Sequence, residues 1–109
     1  MQDDDNVYRD TVVRLCELAG DTATLQGLGF INCEIRGPAV LVGHESIFDN
    51  NTWRGNPDAV LWEVPWDRQN IIGAIQAVRC SFEECTFIGV GYAGRPEAIQ
   101  QIKEQSRWP

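Results

Sequence analysis

The sequence has few of the residues that form metal sites, bind nucleic acids or span membranes. A single histidine among 109 residues argues against a zinc site, so no metal and no cofactor is predicted. Nine Lys and Arg residues against sixteen Asp and Glu give a net charge of −7, which argues against nucleic-acid binding. No apolar run is long enough to span a membrane, and the acidic N-terminus does not resemble a signal peptide. These absences predict a cytoplasmic protein that does not bind membranes.

The four cysteines show neither C-x-x-C spacing nor a histidine pattern around them. Cys33, Cys80 and Cys85 coincide with apolar positions of an internal pattern, and Cys16 lies in an apolar stripe at helical spacing. Because a free cysteine behaves as a small hydrophobic residue, the pattern predicts buried, reduced thiols rather than disulfides.

The apolar pattern is clearest in residues 80–92. Small or apolar side chains recur there at steps of two, three, two, three and two: Cys80, Phe82, Cys85, Phe87, Val90 and Tyr92. A step of two keeps one face of a strand inward, and a step of three fits a corner. The same steps run from Leu28 to Val40, and a partial copy runs from Ser46 to Trp53. Such repeats predict an all-β fold, a short right-handed parallel β-helix of about four coils.

The ends of such a β-helix expose core and unpaired backbone, so both are expected to carry a capping helix. The sequence predicts one domain over residues 1–109. Residues 1–20 would be an acidic tail and an N-terminal helix from Tyr8 to Leu18, and residues 21–94 the coils. Residues 95–109 would form a C-terminal helix that places Ile99 and Ile102 over the open end.

Two pentads, Cys80-Ser-Phe82-Glu-Glu and Cys85-Thr-Phe87-Ile-Gly, resemble the repeat unit of pentapeptide-repeat proteins. The longer pattern over residues 25–94 is similar to that of small bacterial right-handed β-helix proteins of unassigned function. The resemblance implies a solenoid fold. It also implies one possible role, that of an acidic DNA mimic that binds a topoisomerase.

Candidate binding residues cluster after the second copy of the pattern. Tryptophans are frequent at binding surfaces, although they also fill corners in a core. Carboxylates from neighbouring coils could form the acid pair that carbohydrate chemistry requires. The binding residues predicted on this basis are Trp53, Asp58, Trp62, Glu63, Trp66 and Asp67. His44, next to Glu45, could act as a general base or be a solvated loop residue.

The sequence favours a non-enzymatic protein-interaction or scaffold module that self-associates, and it identifies no catalytic residue. Two alternatives stay open: a carbohydrate-binding or carbohydrate-active domain, and the acidic DNA mimic. The expected partner is a second copy of the chain or another protein.

Overall fold

The computed structural model describes residues 2–4, 6–64 and 73–108, and side chains from residue 6 onward. These parts of the chain contain twelve strands and three α-helices. The strands are β1 (Gln2–Asp4), β2 (Val7–Arg9), β3 (Val12–Arg14), β4 (Thr24–Gln26), β5 (Gly29–Ile31), β6 (Glu34–His44), β7 (Ile47–Asp49), β8 (Thr52–Arg54), β9 (Leu61–Glu63), β10 (Ile75–Val78), β11 (Ser81–Glu83) and β12 (Thr86–Gly94). The helices are α1 (Leu15–Ala19), α2 (Pro57–Val60) and α3 (Pro96–Gln105).

The strands form two sheets in which nearly all pairs are parallel. One sheet has the order β1-β2-β5-β11-β7, and only β1 and β2 are antiparallel in it. The other has the order β4-β10-β6-β12-β8, with β3 beside β6 and β9 beside β12. The long strands β6 and β12 therefore form the centre of the second sheet.

The predicted right-handed parallel β-helix is wrong, because the described strands do not neighbour one another in chain order and the sheets that they form do not close into a solenoid. Consecutive coils of a β-helix pair with each other. Here β11 lies between β5 and β7, and β10 lies between β4 and β6. The chain forms two parallel-rich sheets with helices, an α/β arrangement. The description as a pentapeptide-repeat-like solenoid is overturned with it.

The apolar pattern nevertheless marks the interior. All six of its residues between Cys80 and Tyr92 are buried, as are Phe30, Cys33 and Ile35 in the earlier copy. Pro38 also occupies a position of the earlier copy, but it is exposed, so the pattern does not predict burial there. The spacing thus identifies side chains that face the core, and the error lies in which strands pair.

In-register parallel pairing stacks equivalent aromatic rings. Phe82 pairs directly with Phe30 on one side and with Phe48 on the other. The ring centroids of Tyr8, Phe30, Phe82 and Phe48 follow one another at 5.3, 4.7 and 4.9 Å. Neighbouring strands are separated by about 4.8 Å, so identical positions on them bring flat rings into contact. This ladder and its neighbours form the main core.

A helix was expected at each end of the chain, and only the C-terminal expectation agrees with the structure. The predicted helix from Tyr8 to Leu18 is wrong: β2 and β3 occupy five of its eleven residues, and α1 begins only at Leu15. Asp10 has φ +51°, a left-handed conformation that interrupts a helix. The C-terminal helix is present as α3, with Ile99 and Ile102 buried. None of the helices in the described residues is long and apolar enough to cross a membrane.

Candidate functional site

Trp53 is a core residue, although it was predicted as a binding residue. Its side chain is fully buried, stacks on Phe87 at 3.9 Å and lies 6.3 Å from the ring of Trp108. Its indole Nε1 donates a hydrogen bond to Ser106 Oγ at 3.0 Å. Trp53 therefore ties β8 to the residues that follow α3, and it cannot reach a partner.

Three of the other predicted residues lie together on the surface, in the segment formed by α2 and β9. Asp58 is in the first turn of α2, and Trp62 and Glu63 are in β9. All three are exposed, and the Trp62 side chain is 59% exposed. We call these three residues together with Arg54 the Trp62 surface. Trp66 and Asp67 lie outside the described residues.

Local sequence explains the geometry of this segment. The side chain of Asn56 accepts a hydrogen bond from Asp58 N at 2.9 Å, and Pro57 occupies the first position of α2. Both features favour the start of a helix. Pairing of Trp62 with Ala93 in β12 then fixes the strand that carries the indole. Trp62 therefore stands on a hydrogen-bonded strand and not on a free loop.

A groove of about 280 Å³ lies beside Trp62. Glycines at positions 55, 89 and 91 keep part of it free of side chains. At Gly91, an added Cβ would lie 3.1 Å from Val60 O, so β12 and α2 approach closely there. The other residues around the groove are Val40, Arg54, Ala59, Val60, Trp62 and Val90. The groove combines an aromatic edge, an apolar floor and one arginine.

A larger cleft, of about 880 Å³, lies between α3 and the ends of β6 and β12. Its floor is apolar, with Val42, Val64 and Ala98, and its polar residues include His44, Glu45, Tyr92, Arg95, Glu97 and Glu104. These residues come from segments about fifty positions apart in the chain. Apart from His44 and Glu45, sequence reasoning did not select them, because only folding brings the two segments together.

His44 is half-buried at the end of β6 and is hydrogen-bonded through Nε2 to Gln76 Oε1. Its partner is therefore an amide, whereas the orienting group of a catalytic histidine is usually a carboxylate. Tyr92 and Gly43 also line the cleft. Burial raises the pKa of Tyr92 above its ordinary value. The cleft thus presents hydrogen-bonded polar groups around an apolar floor.

Carbohydrate hydrolysis needs two carboxyl groups facing one another across a bond. Asp58 and Glu63 are both exposed, on α2 and β9, and neither has the enclosed setting that favours a general acid. Within the described residues, no group of three His, Cys, Asp or Glu side chains is placed to bind a metal ion. The arrangement around Trp62 is suited to binding.

The sequence matches no protein-family model, and neither a curated protein nor a solved structure is significantly similar to it.

Proposed function

We propose that this protein is a non-enzymatic protein-interaction module that binds its partner through the Trp62 surface. The observation that carries the proposal is the exposure of Trp62, at 59%, on a paired strand. Tryptophan is enriched among the residues that dominate binding energies, because its large ring loses much water contact in an interface.

The surroundings of Trp62 fit a protein partner. Arg54 borders the apolar floor of the groove, and Asp58 and Glu63 are exposed in the adjoining α2 and β9. Protein interfaces commonly combine such an apolar centre with a polar rim. The strand pairing of β9 with β12 holds the backbone that carries the indole in place before binding, which reduces the backbone entropy lost on association.

The test compares Trp62→Ala with Ile47→Ala, which removes an equally exposed apolar side chain elsewhere. A photo-crosslinker at position 63 first identifies the bound protein in cells, and the purified partner is then titrated calorimetrically. We expect Trp62→Ala to weaken binding by about 2 kcal/mol or more, and Ile47→Ala to leave it unchanged. Equal binding by both variants would contradict the proposal.

A carbohydrate ligand is the second candidate, because an exposed indole face can also stack on a sugar ring. Calorimetric titration with an oligosaccharide panel would separate the two functions. Binding that is lost in both Trp62→Ala and Glu63→Gln, with no protein captured, would favour carbohydrate. Turnover of a glycoside would further require an acid pair that includes Asp67.

A cytoplasmic location is part of the proposal. All four cysteines are free thiols, and Cys33, Cys80 and Cys85 are buried. Unpaired thiols suit a reducing compartment.

A further inference from the structure

The outer face of the second sheet carries a row of arginines. The parallel pairs β3–β6, β6–β12 and β12–β8 place equivalent residues side by side. One such row faces inward, and all its residues are buried: Val13, Ile35, Phe87 and Trp53. Because successive residues of a strand face opposite sides of the sheet, the residue that follows each of these faces outward. The outward row is Arg14, Arg36, Ile88 and Arg54.

The guanidinium groups of this row are accessible and only partly neutralised. Arg14 and Arg54 are exposed, and among the described residues neither forms an ion pair. Arg36 is half-buried and pairs with Glu34, two residues before it on the same face of β6. The residues level with Glu34 are uncharged: Val12, Thr86 and Thr52. This face is therefore positive, although the whole chain has a net charge of −7.

We propose that the arginine row, Arg14, Arg36 and Arg54, binds an acidic segment of a partner protein that lies across the strands in extended conformation. Neighbouring strands are about 4.8 Å apart, so three spacings separate the backbones at Arg14 and Arg54 by about 14 Å. In an extended peptide every second side chain is on the same face, and residues i and i+4 are about 13.5 Å apart. Carboxylates at i and i+4 therefore match the two outer arginines, and one at i+2 lies within reach of Arg36.

The chemistry of the row favours carboxylates on a peptide. A guanidinium can form two parallel hydrogen bonds with a carboxylate, and arginine clusters are a recurrent means of recognising acidic motifs. Half-buried Ile88, between two of the arginines, offers an apolar contact to the methylene groups of the peptide. A polynucleotide fits less well, because its continuous phosphate chain would meet Glu34 on this face and exposed Asp58 and Glu63 on the elements that line the groove.

The arginine row adjoins the Trp62 surface, because Arg54 ends the row and also lines the groove beside Trp62. One partner can therefore place an apolar side chain against Trp62 and its acidic residues along the row. This consequence rests on the function proposed above and gives the partner a recognisable feature, an acidic stretch next to an apolar residue. Attraction between the row and this stretch would accelerate association and weaken as salt increases. Binding of an acidic peptide to the row does not itself depend on Trp62.

The experiment titrates a fluorescein-labelled peptide of four Glu-Ser repeats with the full chain and follows fluorescence anisotropy at low ionic strength. Four Gln-Ser repeats form the uncharged control peptide, which should not bind. We expect Arg14→Glu and Arg54→Glu each to raise the Kd for the acidic peptide about tenfold, because each replaces an attraction by a repulsion. Lys103→Glu is the matched control: it changes the net charge equally on an exposed position of α3, and the Kd should rise less than about twofold.

Circular dichroism verifies the fold of each variant, and if Arg54→Glu does not fold, Arg54→Gln replaces it and should raise the Kd about threefold. The peptide has no apolar side chain for Trp62, so it tests the row alone, and the Trp62→Ala comparison above tests the other proposal separately. Three results would overturn the arginine row as an acidic-peptide site: no binding at about 1 mM protein, equal effects of Arg14→Glu and Lys103→Glu, or tighter binding of an oligothymidylate that the same variants abolish.

Discussion

At the scale of single residues, small side chains at the strand corners satisfy buried backbone groups. The fully buried Asn51 donates to Phe82 O at 3.0 Å and accepts from Cys85 N at 2.8 Å. Ser46 Oγ donates to Ala77 O at 2.7 Å and accepts from Cys80 N at 3.1 Å. The cysteines have weaker contacts, such as Cys85 Sγ to Phe30 O at 3.4 Å. The corners therefore need residues that are both compact and able to hydrogen-bond.

The Cys85 thiol should make stability depend on pH under alkaline conditions. Burial raises the pKa of Cys85 from 9.0 to about 12. The unfolded chain loses this proton first, so the stabilisation is complete below pH 9 and is lost as the pH rises towards 12. The slope from one thiol reaches at most about 1.4 kcal/mol per pH unit.

Urea unfolding of the wild type and Cys85→Ala, with reductant, measures this slope from pH 8 to pH 11. We expect the free energy of unfolding to fall less steeply with pH in the variant. Parallel curves would show that Cys85 does not titrate in this way. Some slope should remain in the variant, because burial also raises the pKa of Cys80 and of Tyr92.

At the scale of the elements, the pairing of β6 with β12 determines much of the second sheet. The register shifts between Ile88 and Val90, where Gly89 has φ +69°. Opposite this bulge, a Cβ added to Gly37 would lie 1.9 Å from Gly89 O. The two backbones therefore approach too closely for any side chain at position 37.

Gly37→Ala is expected to lower the free energy of unfolding by about 2–4 kcal/mol, because the backbone of β6 or β12 must move. Gly29→Ala is the matched control. There, the nearest neighbour of an added Cβ is Ser81 Oγ at 3.3 Å, the end of a small side chain. Urea denaturation compares the variants, and equal losses would contradict a close contact specific to Gly37.

At the scale of the whole molecule, residues 75–94 lie between strands that precede them in the chain. Strand β11 separates β5 from β7, and β12 separates β6 from β8. Strands β4, β7, β8 and β9 therefore lack strand partners until the later part has been added, whereas β2 with β5 and β3 with β6 pair within the earlier part. Most strand pairs join distant residues, which favours folding as one cooperative unit.

A fragment of residues 1–64 should therefore fail to fold. It would contain β5 and β7 without the strand that joins them, whereas coils stacked in chain order would keep their pairing. Circular dichroism and the dispersion of amide NMR signals measure the outcome, and adding a fragment of residues 73–109 should restore structure. A cooperatively folded 1–64 fragment would contradict the pairing order.

The sequence by itself determined which side chains face the core around Phe30, Phe48 and Phe82, because the apolar spacing reflects local strand geometry. It also indicated α3. It did not determine that Phe82 lies between Phe30 and Phe48, or that Trp53 is buried under the C-terminal residues. Parallel pairing is set by contacts between distant segments, and one inward-facing pattern is compatible with several strand orders. Only the tertiary structure selected one order, through the aromatic stacking, the corner hydrogen bonds and the close approach of β6 and β12.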